Sequence, residues 1–76
     1  MKKVQITVAR TVFWSMGPRT WFVIQATDGT RYQRWSLDMN TTDECLQLCQ
    51  VTDVLDIEYT PNPSNSINVI HTAEFA

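Results

Sequence analysis

The stretch Thr20-Trp21-Phe22-Val23-Ile24-Gln25-Ala26-Thr27-Asp28-Gly29-Thr30-Arg31-Tyr32-Gln33-Arg34-Trp35-Ser36 decides how this chain is read. Residues 20–27 are rich in aromatic and β-branched types, the composition of a strand. Asp28-Gly29 then predicts a two-residue type I′ turn, because that turn needs positive φ at both central positions. A second strand follows over residues 30–36. In this register position 27 faces 30, 25 faces 32, 23 faces 34 and 22 faces 35. One face gathers Phe22, Ile24, Ala26, Arg31, Gln33 and Trp35, and the other gathers Trp21, Val23, Gln25, Tyr32 and Arg34. The Phe22–Ile24–Ala26 face is the expected core, with Trp35 packed on Phe22. The opposite face would expose Trp21, Tyr32 and Arg34. One extra residue in the turn would reverse the second half of this assignment.

Upstream, Val4, Ile6 and Val8 alternate with Lys3, Gln5 and Thr7, the period of a half-buried strand over residues 3–14. Arg10 then falls on the core parity, so a bulge or bend is expected near residues 9–11. Gly17-Pro18 marks a loop over residues 15–19, and Trp14 is expected to be half-buried at the strand end. Downstream, Thr41-Thr42-Asp43-Glu44 reads as a capping box with Thr41 as N-cap and Glu44 at N3. It opens a short helix over about residues 42–50, with Cys45, Leu48 and Cys49 as its apolar stripe and Leu46 alongside. Residues 54–60 and 67–75 are two further strands, separated by a Pro/Asn/Ser loop over 61–66. The parity of the last strand is ambiguous at Ile70-His71.

Seventy-six residues make one domain, residues 1–76. The element order β-β-β-α-β-β predicts a mainly β protein, a five-stranded OB-fold-like Greek-key barrel with one short helix. A β-grasp would place its helix directly after the first hairpin, and an SH3-like barrel has no reason for a capped helix in mid-chain. The run from Trp21 to Trp35, read as strand, Asp-Gly, Tyr-x-x-Trp, resembles the small OB-fold single-stranded-DNA-binding modules of phage and mobile-element type. Ile57-Glu58-Tyr59-Thr60, a loop, and Ile67-Asn68-Val69-Ile70 resemble their closing hairpin. The likeness spans most of the chain in element order and is loose in sequence. The chain departs from that family in being short and in its net charge of −2.

Charge is polarised along the chain. All six basic residues lie at or before Arg34, while the acids lie from Asp38 onward except Asp28. The basic half also holds Trp14, Trp21, Trp35 and Tyr32. Arginines beside flat rings are the chemistry that holds unstacked bases and phosphates. The residues expected to do so are Arg10, Arg19, Trp21, Arg31, Tyr32 and Arg34, with Trp21, Tyr32 and Arg34 as the platform. The expected partner is single-stranded nucleic acid, DNA in the family the chain resembles, bound with little sequence specificity. The alternative is a phage or mobile-element protein-interaction module, an inhibitor or assembly adaptor. It would use the same aromatics or the acidic half. A homodimer through an unpaired edge strand or exposed aromatics fits either.

Nothing points to an enzyme. The lone His71 has no nucleophile beside it in sequence, and Gly17 and Gly29 build no phosphate loop. Cys45 and Cys49 lack the further ligands of a zinc site and the spacing of a redox pair, so no cofactor or metal is expected. No apolar run approaches the ~20 residues of a membrane span. Gln5, Thr7 and Arg10 break up any signal-peptide core after Lys2-Lys3. Two cysteines without a disulfide framework suit a reducing cytoplasm.

Overall fold

The computed structural model describes every residue except Pro63, Asn65 and Ser66. Five strands, β1 (Lys2–Met16), β2 (Arg19–Ala26), β3 (Arg31–Ser36), β4 (Val54–Asn62) and β5 (Ile67–Phe75), and one helix, α1 (Thr41–Leu48), follow in the order β-β-β-α-β-β. The strands close into a barrel in the spatial order β1-β2-β3-β5-β4, with β3 and β5 parallel and all other pairs antiparallel. This is the expected five-stranded OB-fold-like barrel. No helix among the described residues is long and apolar enough to cross a membrane.

β1 serves two walls. Its residues 2–7 pair with β4, and from Val8 onward it pairs with β2. The register steps between Val8 and Arg10, so Ala9 is the extra residue of a bulge, where the alternation of the sequence breaks. The bulge turns Arg10 outward. A second irregularity lies between Glu58 and Tyr59 on β4. It leaves His71 unpaired in register on β5 and explains the ambiguous parity there.

The core gathers Ile6, Val8, Phe22, Ile24, Ala26, Leu55, Ile57 and Ile70 from the strands, with Cys45, Leu46 and Cys49 from the helix region. Leu46 is fully buried whereas Leu48 is exposed, so the helix presents Thr42, Cys45, Leu46 and Cys49 inward, not Leu48. The cap also sits one residue earlier than expected. Asn40, not Thr41, is the N-cap, and Asp43, not Glu44, closes the capping box. Asn and Thr are both able caps, and Asp43 wins because its carboxylate has further partners inside the barrel.

The turn between β2 and β3 differs from the expectation in one residue, with large consequences. Gly29 N–H donates to Ala26 O (2.9 Å), and Ala26 N–H donates to Thr30 O (2.9 Å). Gly29 has φ +90°, while Asp28 is not in the positive-φ region. This is a three-residue loop, a turn over Thr27-Asp28 followed by a glycine bulge, rather than a type I′ turn. Asp28 accepts from Thr30 N–H (2.9 Å), which holds its carboxyl below the ordinary range. The resulting pairs are Trp21↔Trp35, Phe22↔Arg34, Val23↔Gln33, Ile24↔Tyr32 and Gln25↔Arg31. β2 keeps its expected faces and β3 is reversed. Tyr32 and Arg34 point inward, and Trp35 points outward beside Trp21.

Candidate nucleic-acid interface

Residues directly opposite in an antiparallel ladder share a face, so the outer wall of β1, β2 and β3 can be read row by row. Gly17, at φ +61°, and Pro18 form a two-residue turn that sets Met16 opposite Arg19. The next outward row is Trp14, Trp21 and Trp35. Beyond it come Val12, Val23 and Gln33, then Arg10, Gln25 and Arg31. All three tryptophans of the chain stand in one row across three strands.

The rings touch. Trp14 and Trp21 stack with centroids 5.2 Å apart, and Trp21 and Trp35 lie 4.2 Å apart with planes tilted by 40°. Trp14 and Trp35 remain exposed at 41% and 44%, while Trp21 between them is half-buried. Trp21 Nε1–H is buried and has no acceptor among the described residues. The Arg19 guanidinium lies 6.0 Å from the Trp35 ring centroid, in cation–π range. Below the ladder, Arg10, Val12, Trp14, Val23, Gln25 and Arg31 line a shallow depression of about 320 Å³.

Of the residues singled out in the sequence, Arg10, Arg19, Trp21 and Arg31 meet on this wall. Among the described residues none of these three arginines forms an ion pair. The other two expected members do not join them. Tyr32 is 3% exposed and packs edge-on against Tyr59, and burial raises its phenol above the ordinary value. Arg34 is tied into the barrel. Its Nε donates to Asp43 Oδ1 (2.7 Å), and its Nη1 donates to the carbonyls of Ile70 (3.1 Å) and His71 (3.2 Å). Asp43 is fully buried and also accepts from Ser36 Oγ (2.6 Å) and Asn40 N–H (3.1 Å).

Sequence reading missed Trp14 and Trp35 as surface residues, having placed one half-buried and the other in the core. The signal for Trp14 was present: a two-residue turn at Gly17-Pro18 sets Trp14 opposite Trp21. For Trp35 the signal was the second reading of Asp28-Gly29.

Three acids of the C-terminal half share another wall, while Asp43 is buried and Asp38 lines a depression with Arg19 and Trp35. Asp56 and Glu74 are directly opposite on β4 and β5, and Glu58 stands beside them facing Lys3 (3.8 Å). The two cysteines are free and buried; burial pushes the Cys45 thiol up to about 11 and raises that of Cys49. Neither thiol is a ready nucleophile or metal ligand. No family model, curated protein or solved structure gives a significant match to this chain.

Proposed function

We propose that this chain is a non-enzymatic module that binds single-stranded nucleic acid on the outer wall of β1, β2 and β3. The observation that carries the reading is the row Trp14–Trp21–Trp35, flanked by Arg19 on one side and by Arg10 and Arg31 on the other. In barrels of this topology the wall that includes β2 and β3 is the usual ligand face. Exposed indoles offer base stacking worth roughly 1–3 kcal/mol per base, tolerant of sequence because every base has a π-face. The arginines are free to meet phosphates. The acidic wall of Asp56, Glu58 and Glu74 stands apart and repels a strand that strays from the aromatic wall.

Three arginines on this wall without an ion pair among the described residues make the electrostatic share small. The logarithmic salt slope should be about −2, from ~0.7 per neutralised phosphate on a single strand. All three tryptophans are in the ladder, so intrinsic fluorescence reports on this wall alone. Titration with oligo(dT) at low salt should give saturable quenching, reversed by salt and weaker with duplex. An unchanged spectrum would overturn the reading. It would favour the protein-interaction module instead, which the exposed apolar Met16, Trp14 and Trp35 on the same wall would serve as anchors.

A further inference from the structure

β1 is the one strand that changes neighbours, and the change leaves an edge open. Residues 2–7 are paired on the β4 side, and Val8 bonds to the backbone of Thr52 and Asp53. Beyond the Ala9 bulge, β1 has β2 on one side and, among the described residues, no strand on the other. Met16↔Arg19 closes a two-residue turn and is therefore a hydrogen-bonded pair, which assigns Met16, Trp14 and Val12 to the β2 ladder. The N–H and C=O groups of Phe13 and Ser15 point to the open edge. Exposed edges in native sheets are blunted by lysine, proline, a bulge or a charge. Residues 11–16, Thr-Val-Phe-Trp-Ser-Met, contain none of these. The exposures of Val12 (39%), Phe13 (45%), Trp14 (41%) and Met16 (64%) make it an apolar edge as well.

We propose that this edge pairs antiparallel with the same edge of a second copy, about a two-fold axis at Trp14. A second copy is the occupant this edge fits, because an antiparallel strand pair about such an axis is complementary to itself. Centring on Trp14 pairs Phe13 with Ser15 of the second copy, and Ser15 with its Phe13. Those are the residues whose backbone groups face the edge. Trp14 meets Trp14 in a non-hydrogen-bonded pair, the closest side-chain approach a sheet offers, and aromatic pairs are among its strongest contacts. Val12 meets Met16, both exposed and apolar. Thr11, whose side chain lies near Cys49 Sγ (3.8 Å), is not needed in the ladder.

Charge permits the arrangement. The paired segment is uncharged, and the two Arg10 residues lie eight positions apart along it, roughly 26 Å at ~3.3 Å per residue. The outer walls of the two copies become one six-stranded surface with a continuous row of six indoles. Met16 of the second copy forms a further side of the depression lined by Arg10, Val12 and Arg31. Five residues a side bury less than the ~800 Å² per partner of a standard interface. The dimer is therefore weak, with a dissociation constant in the micromolar range or above.

The test is sedimentation over a wide concentration range without nucleic acid, so its outcome is independent of the binding reading. The wild-type chain should shift from monomer to dimer, and Phe13→Pro should remain monomeric while still folding, because the N–H it removes faces the open edge; its melting temperature should drop only by the loss of the ring contact with Phe22 (5.8 Å), a loss that Phe13→Leu should share while still dimerising. If Phe13→Pro fails to fold, Ser15→Lys takes its place. Cross-linking fixes the register. Trp14→Cys should oxidise to a disulfide-linked dimer much faster than Val12→Cys, whose two copies lie roughly 13 Å apart at ~3.3 Å per residue. A wild-type chain that stays monomeric at every concentration, or equal cross-linking of the two cysteine variants, overturns the proposal.

Discussion

The two faces of β3 carry nearly the same side chains and do opposite things. Outward, Arg31 and Trp35 are exposed and free of ion pairs among the described residues. Inward, Tyr32 is buried in the core and Arg34 is bound to Asp43 and to two carbonyls of β5. An arginine and an aromatic ring on a strand therefore say little about role until parity is known. Parity here is set by one loop residue, a few positions along the chain from the residues it sorts (Trp35, the farthest, is roughly 20 Å of chain away at ~3.3 Å per residue).

The sharpest way to break this comparison is to truncate both arginines. Arg34→Ala leaves Asp43 as a buried carboxylate without its cation, and should cost about 3–5 kcal/mol in urea unfolding. Arg31→Ala should stay within about 0.5 kcal/mol of wild type. Equal losses would mean that the inner arginine is not structural. Next comes the aromatic pair. Trp21→Ala should weaken oligo(dT) binding by about 1–3 kcal/mol, roughly five- to 150-fold, since it removes the centre of the ladder. Tyr32→Phe should leave affinity as it is, measured by the same fluorescence titration; a loss with Tyr32→Phe would return that residue to the interface.

A smaller effect probes the loop that sorts the faces. Gly29→Ala places a Cβ at φ +90° and should cost about 1–2 kcal/mol by thermal melting, although no atom lies within 4 Å of the added carbon. The penalty is conformational and not a clash. The smallest effect concerns pH. Cys45 in the fold holds its proton to about 11 against 9.0 for the free thiol, so the unfolded chain deprotonates first. The contribution of Cys45 to stability should be fully present below pH 9.0 and be lost as pH rises through about 11. Cys45→Ala should flatten part of that fall in melting curves taken across the window.

Much of the architecture was legible. The alternation of Val4, Ile6 and Val8 and its break at Arg10 announced β1 and its bulge, because burial imposes period two and a bulge is the cheapest repair of a slipped parity. The element order carried the barrel. The site was half legible. Trp21, Arg10, Arg19 and Arg31 were identified, while Tyr32 and Arg34 were set on the wrong side and Trp35 in the core. Asp-Gly satisfies two turns equally well, since Gly29 takes positive φ in both, and only long-range pairing chooses between them. What favours the observed turn is far away in sequence: Arg34 finds its carbonyls on β5, and a register that exposed it would leave them without its guanidinium and Asp43 without its cation. Asn40 was missed for a related reason, since Asp43 as a cap partner is selected by contacts that no local pattern contains.

Among the described residues, barrel closure between β3 and β5 rests on the pairs Tyr32↔Asn68 and Gln33↔Val69 and on Asn68 Nδ2 donating to Arg31 O (3.0 Å). Beyond them the seam is held by the Arg34 guanidinium, whose anchor Asp43 is also the residue that completes the cap of α1. Sealing the barrel and starting the helix are thus a single cooperative event. Amide protons along α1 and along the β3–β5 seam should therefore exchange with solvent through the same opening in native-state hydrogen exchange.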